Sequence, residues 1–180
     1  MMTTHRNSGP GVPDGHPLQK TFAALTARGL EQARIGDELS VRYISNMLMG
    51  FLRTDDLYRL RGESRRPLGQ ISDMLVAAEQ AATPLERQNA HRHLGDFTLF
   101  MLGLYPECMD RPRRALTARD YADFGSRSYR IVADLAQRGE PGIYHRLSFC
   151  FDAYVDGLRW VKRYTADPFY QYMLREFQVS

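Results

Sequence analysis

Cysteine is scarce in this 180-residue chain: Cys108 and Cys150 are the only two, and no metal-ligand spacing relates them. Neither a disulfide framework nor a cysteine-based zinc site is expected, and a reducing cytoplasm is the expected compartment. Lysine is equally rare. Only Lys20 and Lys162 occur, so the basic charge is carried by arginine, whose planar fork suits carboxylate and anion pairing. The net charge of +3 is too small to mark a nucleic-acid binder by itself. Long apolar runs are also missing. "FTLFMLGLY" is the longest candidate, well short of the roughly 18 residues that a membrane span needs. The N-terminal "MMTTHRNSGPGVPDGHP" has no apolar core of a secretory signal. No Gly-rich phosphate loop and no G-x-S-x-G elbow is present. No cofactor can be assigned from motifs, so an enzyme is neither named nor excluded.

Strand-like alternation is lacking too, and what replaces it is helical period. Residues 1–17, rich in Gly, Pro, Ser and Thr, are expected to form a disordered arm. Residues 18–180 are expected to form a single all-α domain, a bundle of about six to seven helices. The first helix should cover Leu18 to Arg28, with Gly29 ending or kinking it. A second should begin after Asp37, carrying Leu39, Tyr43, Met47, Leu48 and Phe51 on one stripe. The polar stretch "RTDDLYRLRGESRRPLG" reads as a loop before a third helix from Leu68 to Ala82.

The fourth helix has the clearest start. Thr83, Pro84 and Glu86 make a capping box with proline at the first helical position, and the helix should run to Leu104 before Pro106. Thr117 and Asp120 start a fifth in the same way, and Gly139 offers a left-handed end to it. A sixth helix should extend unbroken from Ile143 to Tyr164, with Leu147, Phe151, Tyr154, Leu158 and Val161 as its core stripe. Asp167 and Pro168 would restart a short seventh.

Within the fourth helix, Ala90, Leu94, Phe97, Met101 and Leu104 share an apolar arc, bordered by the polar stripe Glu86, Asn89, His93 and Asp96. Beyond Asp96 the helix is apolar nearly all round, which places this aspartate at the dry end of the stripe. A buried carboxylate must be paired or neutralised. A bidentate arginine is the simplest partner, and Arg127 or Arg130 on the fifth helix are candidates. The alternative makes Glu86, His93 and Asp96 a small-ligand or metal site, completed by Tyr129 or His145. Metal is the weaker form of that idea. No Glu-x-x-His pair occurs, and His91 and His93 point about 160° apart on a helix. Gly95 and Gly103 suggest close approach of a partner backbone, with Gly125 and Ser128 as the matching flat surface.

The segments "LGDFTLFMLGLYPE" (94–107) and "YADFGSRSY" (121–129) share a frame, L-G-D-x-x-L-F-x-x-G-x-x-P-E then Y-x-x-x-G-x-x-S-Y. The frame resembles one found in small uncharacterised bacterial helical proteins. The resemblance covers the middle fifth of the chain and implies a bacterial helical protein with no activity to carry over. Glu107 in this frame is expected to accept hydrogen bonds from the next loop or from nearby arginines.

Two further features point to surfaces. Arg111, Arg113 and Arg114 could gather an anion if their loop met "RLRGESRR" (59–66). The C-terminal third holds more aromatics than one core stripe absorbs, with Trp160, Tyr164 and Tyr172 left over. Such a surplus suits a subunit interface or a partner-binding surface. The functional expectation is therefore a cytosolic helical interaction or regulatory module that self-associates and has no catalysis of its own. The runner-up is the ligand site on the Glu86, His93 and Asp96 stripe.

Overall fold

A computed structural model describes residues 17–53, 67–108, 116–136 and 141–166. Those residues form seven α-helices and no strand: α1 (Pro17–Gln32), α2 (Glu38–Arg53), α3 (Pro67–Glu79), α4 (Pro84–Leu104), α5 (Ala118–Leu135), α6 (Pro141–Phe149) and α7 (Phe151–Thr165). A 3₁₀ turn, Pro106–Cys108, follows α4. The all-α expectation holds. Pro17 opens α1; the rest of the expected N-terminal arm, the Arg-rich loops at 59–66 and 111–114, Gly139 and the C-terminal restart at Asp167 lie outside the described residues.

The helix starts follow local chemistry. Thr83 accepts from the Glu86 N–H at 3.2 Å, and the Glu86 carboxylate accepts from the Thr83 N–H at 3.1 Å. Thr117 and Asp120 repeat this box at α5. Asp37 caps α2, accepting from the Ser40 N–H at 3.1 Å. Each cap satisfies backbone donors that the first helical turn leaves open.

Helix α4 is the centre. It packs most extensively against α5 and also meets α3 and α7, while α1 packs on both α2 and α7. Every residue from Phe97 to Gly103 is buried, as a helix surrounded by neighbours requires. Glycines set the crossings. A Cβ on Gly95 would lie 2.8 Å from the Tyr129 ring, and one on Gly103 would run into Leu158. Gly29 does not end α1, which continues to Gln32. Instead it faces Gly157 of α7, where an added Cβ would stand 2.5 Å from the Gly157 carbonyl oxygen.

Other helix boundaries differ from expectation as well. α3 ends at Glu79, short of Ala82. α5 ends at Leu135, with Ala136 as its extended cap, short of Gly139. The long sixth helix is two, broken at Cys150 (φ −108°, ψ 27°). The core stripe nevertheless holds, since Leu147, Phe151, Tyr154, Leu158 and Val161 are all buried. The break lets one apolar period serve two surfaces: α6 packs on α5, and α7 on α1 and α4. Periodicity reports the buried face, not the direction of the axis.

Candidate functional site

Asp96 sits where α2, α4 and α5 meet. Its Oδ1 accepts from the Tyr43 hydroxyl at 2.6 Å and from the Tyr129 hydroxyl at 2.7 Å. Gly95 makes this possible, because the bare Cα next to Asp96 lets the Tyr129 ring lie flat against α4. Tyr144 of α6 closes the group, its ring 5.6 Å from Tyr43 and 6.3 Å from Tyr129. Arg92, one turn before Asp96, hydrogen-bonds Tyr144 and its charge reaches the carboxylate.

These partners differ from the arginines expected. Arg127 and Arg130 are exposed, and Asp96 is satisfied by two neutral donors. Asp96 as a whole residue is half-buried, but its carboxyl end lies deep among the tyrosines. Burial pushes the carboxyl up to about 6, against the downward pull of the Tyr43 and Tyr129 hydrogen bonds and of Arg92. The tyrosines move the same way: burial first, then the Asp96 charge, raise Tyr43 and Tyr129 well above ordinary phenols. Both therefore stay protonated and donate to Asp96. The group can take up a proton at Asp96 in mildly acidic conditions.

The remaining stripe residues are dispersed. Glu86 is engaged in the α4 cap. The His93 ring stacks on Phe51 of α2 at 6.2 Å, and His145 is exposed on α6. Asp96 and Tyr129 are thus brought together, while Glu86, His93 and His145 are placed elsewhere. Among the described residues, no group of three or more His, Cys, Asp or Glu could hold a metal ion. Arg111, Arg113 and Arg114 lie outside them.

His91, not singled out from sequence, is the buried histidine among the described residues. Its Nδ1 lies 3.4 Å from the Ser128 hydroxyl, and burial, followed by the Arg87 charge, lowers its pKa. The alternation His91-Arg92-His93 carries the signal, since opposite faces of α4 must meet different neighbours.

A second polar group joins α2, α6 and α7. Asp37 pairs with Arg146 at 2.5 Å and accepts from the Ser40 hydroxyl at 2.6 Å, and Ser40 meets the buried Tyr154 hydroxyl at 2.6 Å. Burial acts to raise Asp37, but Ser40 and Arg146 outweigh it and hold the carboxyl below its ordinary value. Glu107 pairs with Lys162 of α7, and the expected loop and arginine partners at 109–115 lie outside the described residues. Lys162 also lies 5.9 Å over the Tyr105 ring.

The surface grooves lie apart from Asp96. One of about 760 Å³ runs beside Gln32, Pro106, Trp160 and Lys162. Trp160 stacks on Tyr164 at 5.3 Å, and Tyr164 is 40% exposed. Another, of about 400 Å³, runs between α5 and the α6–α7 break, lined by Arg119, Asp123, Ser126 and Phe149. Phe149 is 89% exposed. No protein-family model, curated protein or solved structure matches the chain. Among the described residues, no helix is long and apolar enough to cross a membrane.

Proposed function

We propose that this protein is a cytosolic helical interaction module that self-associates, with no catalysis of its own. The observation that carries this reading is Phe149. A phenylalanine 89% exposed at the α6–α7 break, bordered by grooves along α5, leaves a large apolar ring in water. Aromatic anchors of this kind, set among polar residues, are typical of association surfaces. The Trp160–Tyr164 stack beside its own groove is the second place where a protein partner would dock. Asp96 is read as an internal lock between helices, because its carboxylate already accepts two hydrogen bonds from the protein.

Sedimentation velocity across a wide concentration range tests the proposal. The wild-type chain should gain mass with concentration, and Phe149→Ser should weaken that association while leaving the melting temperature unchanged. A wild-type chain that stays monomeric into the hundreds of micromolar would sink it.

A further inference from the structure

We infer that the partner is a second copy of this chain, and that α5 packs antiparallel on the α5 of that copy about a twofold axis between Ser126 and Arg127. This rests on the self-association reading above and assigns its surface.

The inner face of α5 is committed to the core through Tyr121, Gly125, Ser128, Tyr129 and Val132. Its outer face carries a single exposed stripe: Arg119, Asp123, Arg127, Arg130 and Asp134. The spacings of 4, 4, 3 and 4 keep these side chains on one side of the helix. Arg119 and Asp123 form an exposed pair at 3.5 Å, whereas Arg127, Arg130 and Asp134 make no ion pair among the described residues.

The order of charges along this stripe is self-complementary under reversal. Turned about the midpoint of Ser126 and Arg127, Arg119 lies opposite Asp134, and Asp123 lies opposite Arg130. An isologous interface makes every such pair twice, so the crossing would form four opposite-charge pairs. Shifting the midpoint by one residue loses all of them. The closest like-charge approach is Arg127 with its symmetry mate at the axis. Each Arg127 has Asp123 of the other copy slightly less than one turn away, in the direction in which the two guanidinium groups diverge, and Arg130 of that copy slightly more than one turn away on the other side.

Phe149 belongs to the same surface. It lines a groove of about 350 Å³ with Ser126, Arg127 and Arg130, the residues at the proposed axis. A second α5 laid along this stripe would cover both Phe149 rings. The arrangement therefore joins an apolar anchor to a charge pattern that sets direction and register, as in helical pairs whose flanking charges select orientation.

Charge reversal in the 180-residue chain tests the assignment. Asp123→Arg leaves only arginine at this pair of positions, and Arg130→Asp leaves only aspartate. Each variant alone should self-associate at least about tenfold more weakly than wild type, because like charges then face each other across the axis. Mixed in equal amounts, the two variants should recover a two-chain species of wild-type affinity. The arginine introduced in one chain would then face the aspartate introduced in the other, and the native Arg130 of the first would face the native Asp123 of the second. Both substitutions are on an exposed face, so circular dichroism and melting should be unchanged. Three results would overturn the inference. If the wild type self-associates but the single reversals do not weaken it, the interface is elsewhere and the self-association reading stands. If the singles weaken but the mixture shows no rescue, the antiparallel register is wrong. A wild type that never associates removes both readings together.

Discussion

Two carboxylates tie helices together in this fold, and they do so in opposite electrostatic settings. Asp96 joins α2, α4 and α5 through two tyrosine hydroxyls in a deep position, and burial raises it to about 6. Asp37 joins α2 to α6 near the rim through Ser40 and Arg146. There burial is outweighed, and the carboxyl is held below its ordinary value. Both groups include a buried tyrosine, Tyr129 in one and Tyr154 in the other. The difference is depth. Deep among the helices the loss of hydration outweighs two tyrosine hydroxyls and the Arg92 charge together, whereas near the rim less hydration is lost, and Ser40 with Arg146 outweighs it. The inner lock is therefore strained by its own ionisation at neutral pH, and the outer lock is strengthened by it.

The largest expected effect comes from breaking the inner lock sterically. Gly95→Leu puts a branched side chain where even a Cβ would stand 2.8 Å from the fully buried Tyr129 ring. Tyr129 would have to leave Asp96, and the loss should be about 3 kcal/mol or more. Urea unfolding should show a lower midpoint with little change in slope. An unchanged midpoint would mean that Tyr129 does not press on α4. A smaller effect, of opposite sign, comes from removing the charge. Asp96→Asn keeps an oxygen to accept from both tyrosines and abolishes the ionisation. Folded Asp96 titrates near 6 and the unfolded residue near 3.8, so between those values the native state holds more protons. Its contribution is full below about pH 4, is lost as pH rises through 6, and is constant above that. The variant should therefore be more stable than wild type by about 2–3 kcal/mol at pH 8, with the gain gone near pH 4. A variant less stable than wild type at both pH values would contradict this account.

Why one lock is partly legible from sequence and the other is not follows from the same geometry. Asp96 stands out because it ends a polar stripe where the helix becomes apolar nearly all round, on a helix whose start at Thr83 is unambiguous. Gly95, Gly103 and Gly125 do mark tight contacts, but with side chains rather than with the partner backbone expected: Tyr129 lies against Gly95, Leu158 of α7 against Gly103, and Thr98 and Phe151 against Gly125. The expected central pair, α4 with α5, is the most extensive. Its partners are hidden, however. Tyr43 lies on the core stripe of α2, and Tyr129 carries a hydroxyl on an otherwise buried ring. Period tells which face turns inward, but not which polar atom on a neighbouring helix it will meet. Asp37 is visible only as a helix start. Arg146 reaches it directly and Tyr154 reaches it through Ser40, from opposite sides of the Cys150 break, and that break leaves no trace in an apolar period that runs straight through it.

The smallest effect should come from the outer lock. Asp37→Asn retains a good capping side chain for the Ser40 N–H but removes the charge facing Arg146. Arg146 is 41% exposed and Asp37 35%, so solvent screens the pair, and the melting temperature at pH 7 should fall by only about 1–3 °C. Its pH dependence runs opposite to that of Asp96. Because the folded carboxyl lies below its ordinary 3.8, its contribution is present above about pH 4 and is lost as the pH falls through the folded value. Stability curves of the two asparagine variants against wild type should therefore diverge in opposite directions above pH 4, with Asp96→Asn rising above wild type and Asp37→Asn falling slightly below it. If Asp37→Asn instead rose with Asp96→Asn, Ser40 and Arg146 would not be offsetting the burial of Asp37, and the contrast between the two locks would collapse.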